Sequence, residues 1–296
     1  MVSWSLTQQA LAAGITNGSF YGLVGLGLAI VFRGTHVINV AQGEFSVLAG
    51  MIASFFLTLF GLPYPIAVSL AVLVGALIGA GLETLLVGPM IRRGAHEDSF
   101  LLLTIGLAFT ASSGVLYFAV QDSKLLPGWG SDDIVEIGDA IIPQHAIWLT
   151  MVAIAVAVVL RFFYRQTILG LAMMAAAGDE AGAATTGINV NGMRALSFAI
   201  GGAVGGLAGV LISPLAGVNY HMGLELTLKG FAAAVMGGLL NPMGALLGGL
   251  VLGLLEALSL VVLPSAYKDI VAMVLLISIM ILAPNGLLGR SARRGG

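Results

Sequence analysis

The sequence predicts an all-α protein: a polytopic, glycine-rich bundle of about eight to nine transmembrane helices. Three observations predict it. The 296 residues are 58% hydrophobic and only 9% charged, whereas soluble domains carry about 25% charged residues and need that polar surface to face water. Apolar stretches of about 20 residues, the length of helix that crosses a bilayer core, recur along the whole chain. Glycine occurs 42 times, much of it at helical spacing.

The predicted spans are 6–31, 41–60, 66–88, 99–120, 146–164, 194–216 and 268–288. The stretch 222–263 is too long for one span. It is broken at "GGLLNPMG", where Asn241-Pro242 interrupts a helix because proline lacks an N–H and crowds the preceding turn. A short span to about 240 and a second from about 244 give nine crossings; a re-entrant first half would give eight. The opening "MVSWSLTQQA" lacks the basic start of a cleavable signal peptide, so the first stretch is read as a retained span.

Charge placement sets the orientation. Arg33, Arg92, Arg93, Arg161, Arg165, Arg194, Arg290, Arg293 and Arg294 fall on one side of the nine-span arrangement. The opposite side receives 121–145, with five acids and one lysine. Arginine and lysine concentrate in cytoplasmic loops, so the N-terminus is expected outside and the C-terminus inside. The chain reads as one transmembrane domain, 1–296, with an extracytoplasmic loop at about 121–145 and a cytoplasmic loop at about 165–192.

Glycine pairs three or four apart (Gly75/Gly79, Gly201/Gly205/Gly209, Gly244/Gly248, Gly249/Gly253) let helices approach closely in lipid. Polar groups inside spans must find a partner or line a wet cavity. Asn17 lies well inside the first span. Asn39, Gln42 and Gly43 share a helical face in "RGTHVINVAQGEF", with Glu44 next; Asn39 as a cap for the second span, with Glu44 in its first turn, is an equally simple reading. Thr104 and the glycines at the break, Gly237 and Gly238, complete the candidates for a translocation pathway. Glu83 and Glu256 near span ends read as interface-seeking side chains or interhelical hydrogen bonds.

The sequence also lacks several chemistries. There is no cysteine, hence no disulfide framework or thiolate chemistry. No HExxH, GxSxG or GxxxxGK[ST] appears, and the four histidines fall among predicted loops. No enzyme activity, metal, cofactor or nucleic-acid partner is expected.

Four blocks then point to a family: "NGSFYGLVGLGLAIVFRGTHVINVAQGEFSVLAG", "GDEAGAATTGINVNGMRALSFAIGGAVGGLAGVL", "GFAAAVMGGLLNPMGALLGGLVLGLLEAL" and "APNGLLG". In this order, across residues 14–289, the chain resembles the LivH-type permease of branched-chain amino-acid ABC importers. The resemblance implies a bacterial inner-membrane transport subunit that hydrolyses nothing itself. Its implied partners are a second, related permease, ATP-binding subunits and an extracytoplasmic substrate-binding protein. It also gives "GDEAGAATTGINVNG" a role, as a coupling helix that seats in a cleft of the ATPase, with Asp179, Glu180, Ala181, Gly187 and Ile188 at the matching positions. One departure is clear: Gln42 stands where family members commonly carry a histidine, "NFAHGE" against "NVAQGE" here. Urea, amides or other small solutes are alternative substrates within the family, and a passive solute channel is the rival from another class.

Overall fold

The computed structural model describes residues 4–119, 123–129, 134–264, 267–282 and 286. Ser131 and the other loop residues outside these ranges, and the C-terminal arginines Arg290, Arg293 and Arg294, lie outside the described residues.

Among the described residues nine helices of 15 residues or more build the bundle, in chain order α1 (Trp4–Thr35), α2 (Gln42–Thr58), α3 (Tyr64–Leu82), α5 (Glu97–Ala119), α6 (Gln144–Gln166), α9 (Val190–Ala216), α10 (Met222–Gly237), α11 (Pro242–Ser259) and α12 (Lys268–Leu282). Six of the crossings are long and apolar enough to span a membrane by themselves; they are α1, α3 with its continuation, α5, α6, α9 and α11. At 17, 16 and 15 residues, α2, α10 and α12 are about 23–26 Å long, short of a 30 Å core. The protein is a multi-pass membrane protein.

Four local features differ from the expectation. The span expected at 66–88 runs on through a π-helical turn (Glu83–Val87) into a short helix α4 (Gly88–Arg92). The loop at 121–145 contains a hairpin of β1 (Ile134–Ile137) and β2 (Ala140–Pro143), pinned to α1 where Gln9 bonds both the N–H and the carbonyl of Ile141. The stretch 165–192 holds two helices, α7 (Ile168–Gly178) and α8 (Glu180–Thr185). His145, expected in a loop, is buried in the first turn of α6 and accepts a bond from the Trp129 N–H at 2.9 Å.

Glycine sets the packing. On α1, Gly14, Gly18 and Gly22 meet the α11 backbone around Gly253, Gly249 and Leu246. On α9, Gly202 meets Gly75 of α3, Gly205 meets Gln42 of α2, and Gly209 meets the Ser46 carbonyl. A Cβ at any of these glycines would collide with backbone or side chain. Without a hydrophobic force between helices in lipid, this closeness is what dispersion and polar contacts require. Helix α9 is thus the hub, touching α1, α2 and α3 along successive glycines.

The chain entering α2 folds back into the bundle. After α1 ends, residues 36–41 return so that Gln42 meets α9 at Gly201 and Gly205, about halfway along that helix. The N-cap of α2 is Ala41, with no side-chain cap bond. Asn39 therefore neither caps α2 nor lies on it. It stands in the return segment between α1 and α2, where its Oδ1 accepts from the Ala41 N–H at 3.1 Å. The Gly237–Gly238 break also falls slightly earlier than expected: α10 ends at Gly237, Gly238 takes φ 91°, and Pro242 opens α11, the first-turn position that suits proline.

Candidate functional site

Two groups of residues meet the bundle at places with polar chemistry. The first is the shared start of α2 and α10. The Gly43 N–H donates to Thr227 Oγ1 at 2.8 Å, and that hydroxyl donates to the Val40 carbonyl at 2.9 Å. Gln42 Nε2 donates to the Gly201 carbonyl at 2.9 Å and Asn39 Nδ2 to Gln42 Oε1 at 3.4 Å. Thr104 of α5 reaches the Phe100 carbonyl at 3.0 Å and the Ile38 carbonyl at 3.5 Å. Glu44 lies against Gly223, fully buried, and its Oε2 has no hydrogen-bond partner among the described residues. Irregular backbone inside a membrane persists only where protein or a cavity satisfies it. Here the amides and hydroxyls of Asn39, Gln42, Thr104 and Thr227 do so.

The structure therefore brings Asn39, Gln42, Gly43, Glu44 and Thr104 into one node. It does not bring Asn17 there. Asn17 is half-buried on α1, ten residues or about 15 Å from Gly27, where Gln42 packs. Gly237 and Gly238 lie at the α10–α11 break instead, with Gly237 packed on Gly244.

The second group is the α7–α8 segment. Asp179 caps α8, its Oδ1 accepting from the Gly182 N–H at 3.0 Å. Gly187, at φ 86°, terminates it. The Gly187 N–H bonds the Ala184 carbonyl and the Ile188 N–H the Ala183 carbonyl, both at 3.1 Å, the paired closure that a left-handed glycine permits. Asp179, Glu180, Ala181 and Gly187 are exposed and Ile188 is half-buried. Glu180 Oε2 accepts from Arg194 Nη2 at 2.7 Å. The acid expected to face a partner thus holds a buried arginine of its own chain. Arg194 Nε and Nη1 have no other partner among the described residues.

A buried ionic network was missed by sequence reading. Lys229 Nζ lies 2.8 Å from Glu225, 3.4 Å from Glu256 and 3.4 Å from the Tyr21 hydroxyl, while Lys268 Nζ lies 3.3 Å from Glu256. Lys229 and Glu256 are both essentially inaccessible, so of the two readings of Glu256 the interhelical hydrogen bond holds, to Tyr21 and Lys229, and the interface-seeking one does not. The signal was present in "LELTLKGF": a lone lysine one helical turn after a glutamate, inside an apolar helix. Among the described residues no group of His, Asp or Glu is arranged to hold a metal ion.

Long apolar helices, seated on one another through glycine and broken between α10 and α11, define an all-α polytopic membrane protein. The model of the family described as the branched-chain amino acid transport system permease component matches residues 10–280, and the chain belongs to that family. It is 33% identical over 95% of both chains to the high-affinity branched-chain amino acid transport system permease protein BraD of Pseudomonas aeruginosa. It is 32% identical, again over 95% of both, to the permease protein LivH of the corresponding system in Salmonella typhimurium. The ribose import permease protein RbsC of Haemophilus influenzae is a more distant relative, 27% identical over 88% of this chain and 80% of that one.

Proposed function

We propose that this chain is the membrane-spanning subunit of an ATP-driven importer that passes branched-chain or similar hydrophobic amino acids, delivered by an extracytoplasmic binding protein. The observation that carries the reading is the likeness to BraD and LivH along almost the full length of both chains. The partners are a second, related permease, ATP-binding subunits that perform the hydrolysis, and the binding protein. The chain sits in the bacterial inner membrane with its N-terminus outside and its C-terminus in the cytoplasm, an orientation supported by the arginine asymmetry.

In this reading α8, with Asp179, Glu180, Ala181, Gly187 and Ile188, docks in the ATPase. Movement of α8 is delivered to α9 through the Glu180–Arg194 contact. Because α9 meets α1, α2 and α3 at glycine contacts that leave no slack, a displacement of α9 reaches the start of α2. Helices broken near the membrane midplane are where transporters place substrate sites. The node of Asn39, Gln42, Gly43, Glu44 and Thr104 is accordingly the pathway candidate, with Asn17 and Gly237 as further positions along the route. The test is uptake by the reconstituted transporter with its binding protein. Leucine, isoleucine or valine should compete with one another, and ATP should be required. Uptake without ATP marks a passive channel; uptake of ribose, urea or an amide in preference marks another substrate class.

A further inference from the structure

A cavity of about 960 Å³ opens between the ends of α1, α6, α10, α11 and α12. Three arginines stand around it: Arg33 near the end of α1, and Arg161 and Arg165 one turn apart at the end of α6. Among the described residues no carboxylate lines it. Among the described residues none of the three arginines makes an ion pair, and residues 283–296 contain no acid. Apart from Asn241 at the α10–α11 turn, the rest of the wall is apolar or aromatic, including Leu26, Phe231 and Met280. Arg33 lies 5.3 Å above the Tyr164 ring, which fixes its guanidinium at the rim.

An apolar wall below three uncompensated guanidiniums, at the level where helices leave the membrane, is complementary to an anionic amphiphile. Guanidinium forks bind phosphate oxygens in pairs, and basic pockets between transmembrane helices are suited to anionic lipid headgroups. From this juxtaposition we infer that the Arg33–Arg161–Arg165 cavity binds an anionic phospholipid, with the phosphate on the arginines and an acyl chain against the α1–α10 wall. An acidic peptide would leave the apolar floor unfilled, and free phosphate would use only the rim. The lipid fills both. The occupied cavity would tie α6 to the α10–α11 turn and make the transporter's integrity depend on lipid charge.

The experiment uses the full-length chain, purified with the subunits that accompany it, in phosphatidylcholine nanodiscs with and without an equal part of phosphatidylglycerol. Retained lipid is read by native mass spectrometry. The wild type should retain phosphatidylglycerol over phosphatidylcholine, and the Arg33→Gln/Arg161→Gln/Arg165→Gln variant should lose about tenfold or more of that preference. Arg92→Gln/Arg93→Gln, at the same end but outside the cavity, should keep it, and Arg161→Lys should keep most of it. Equal retention of both lipids by the wild type overturns the inference. So does equal loss in the Arg92/Arg93 variant, which would mean diffuse charge attraction. Displacement of phosphatidylglycerol by inorganic phosphate at physiological ionic strength would assign the rim to a free anion instead. If the triple variant does not fold, each single Arg→Gln change should lower retention; unchanged retention in all three overturns the proposal.

Discussion

Arg194 and Glu180 are joined at 2.7 Å across the junction of α8 and α9, with the arginine side chain only 6% exposed and the carboxylate 58% exposed. The pair joins an exposed surface helix to the hub of the bundle. An exposed ion pair is worth about 0.2–1 kcal/mol, but the partners are unequal here. Removing the acid leaves a buried guanidinium short of an acceptor, a desolvation penalty of about 1–3 kcal/mol.

The first prediction follows from that inequality. Glu180→Lys should lower both the stability of the α8–α9 junction and the amount of ATP-binding subunit that co-purifies. The swap Glu180→Arg with Arg194→Glu should recover part of both. Undiminished co-purification together with normal uptake in Glu180→Lys would remove α8 from the coupling route.

The glycine contacts give a contrast within one residue type. Gly253→Ala and Gly209→Ala place a methyl against the backbone of Gly18 and Ser46, and should sharply reduce folded protein, each by an overpacking cost of about 1–3 kcal/mol or more. Gly106 and Gly114 of α5 face open space. Alanine there should be neutral or should stabilise by up to about 1 kcal/mol through helix propensity. Thermal unfolding in detergent compares the four; equal effects would mean that the glycines do not set helix separation.

The buried network of α10 and α11 makes the third case. Lys229→Met leaves Glu256 with only Tyr21 and the half-exposed Lys268 and should destabilise by up to about 3 kcal/mol, whereas Lys229→Met with Glu256→Gln should cost clearly less, since a buried pair contributes little net while an under-compensated buried charge costs much. Lys268, 3.3 Å from Glu256, moderates the single change. Additive losses in the double variant would mean that the two groups act separately.

Orientation is tested by cysteine labelling, which a cysteine-free chain permits without background. Asp139→Cys, at the exposed hairpin turn, should react with an impermeant thiol reagent added to intact cells. Thr186→Cys, at the exposed end of α8, should react only after the membrane is opened. The reversed pattern would place α8 outside, away from any ATPase.

The pathway candidates separate by what each polar group already holds. Gln42→Leu removes the bond to the Gly201 carbonyl and should reduce assembled transporter by about 1–3 kcal/mol of stability, the cost of an unsatisfied buried acceptor, and also reduce uptake per assembled complex. For Asn17→Leu, no such bond is lost among the described residues, so a pathway role should appear as lower uptake at unchanged assembly. Normal uptake per complex in both variants would move the pathway away from α1 and α2.

The sequence by itself determined the class of this protein, because the constraint is local and one-dimensional. An apolar run of membrane length, an arginine at its end or a proline after asparagine acts on its own segment. Thus a bundle of eight to nine spans and the break before Pro242 were legible, and so was the small-residue spacing that packs α3, α9 and α11; the helix between Asp179 and Gly187 was legible only through the family resemblance. Only the tertiary structure decided where polar groups find partners, because in lipid that depends on which helices become neighbours. It carried Asn39 off the helix into a segment that folds back to mid-bundle. It gave Glu180 to Arg194 and gathered Glu225, Lys229, Glu256 and Lys268 from three helices into one network. It also drew Arg33, Arg161 and Arg165 around one cavity from positions that in sequence read only as three charges on the same side.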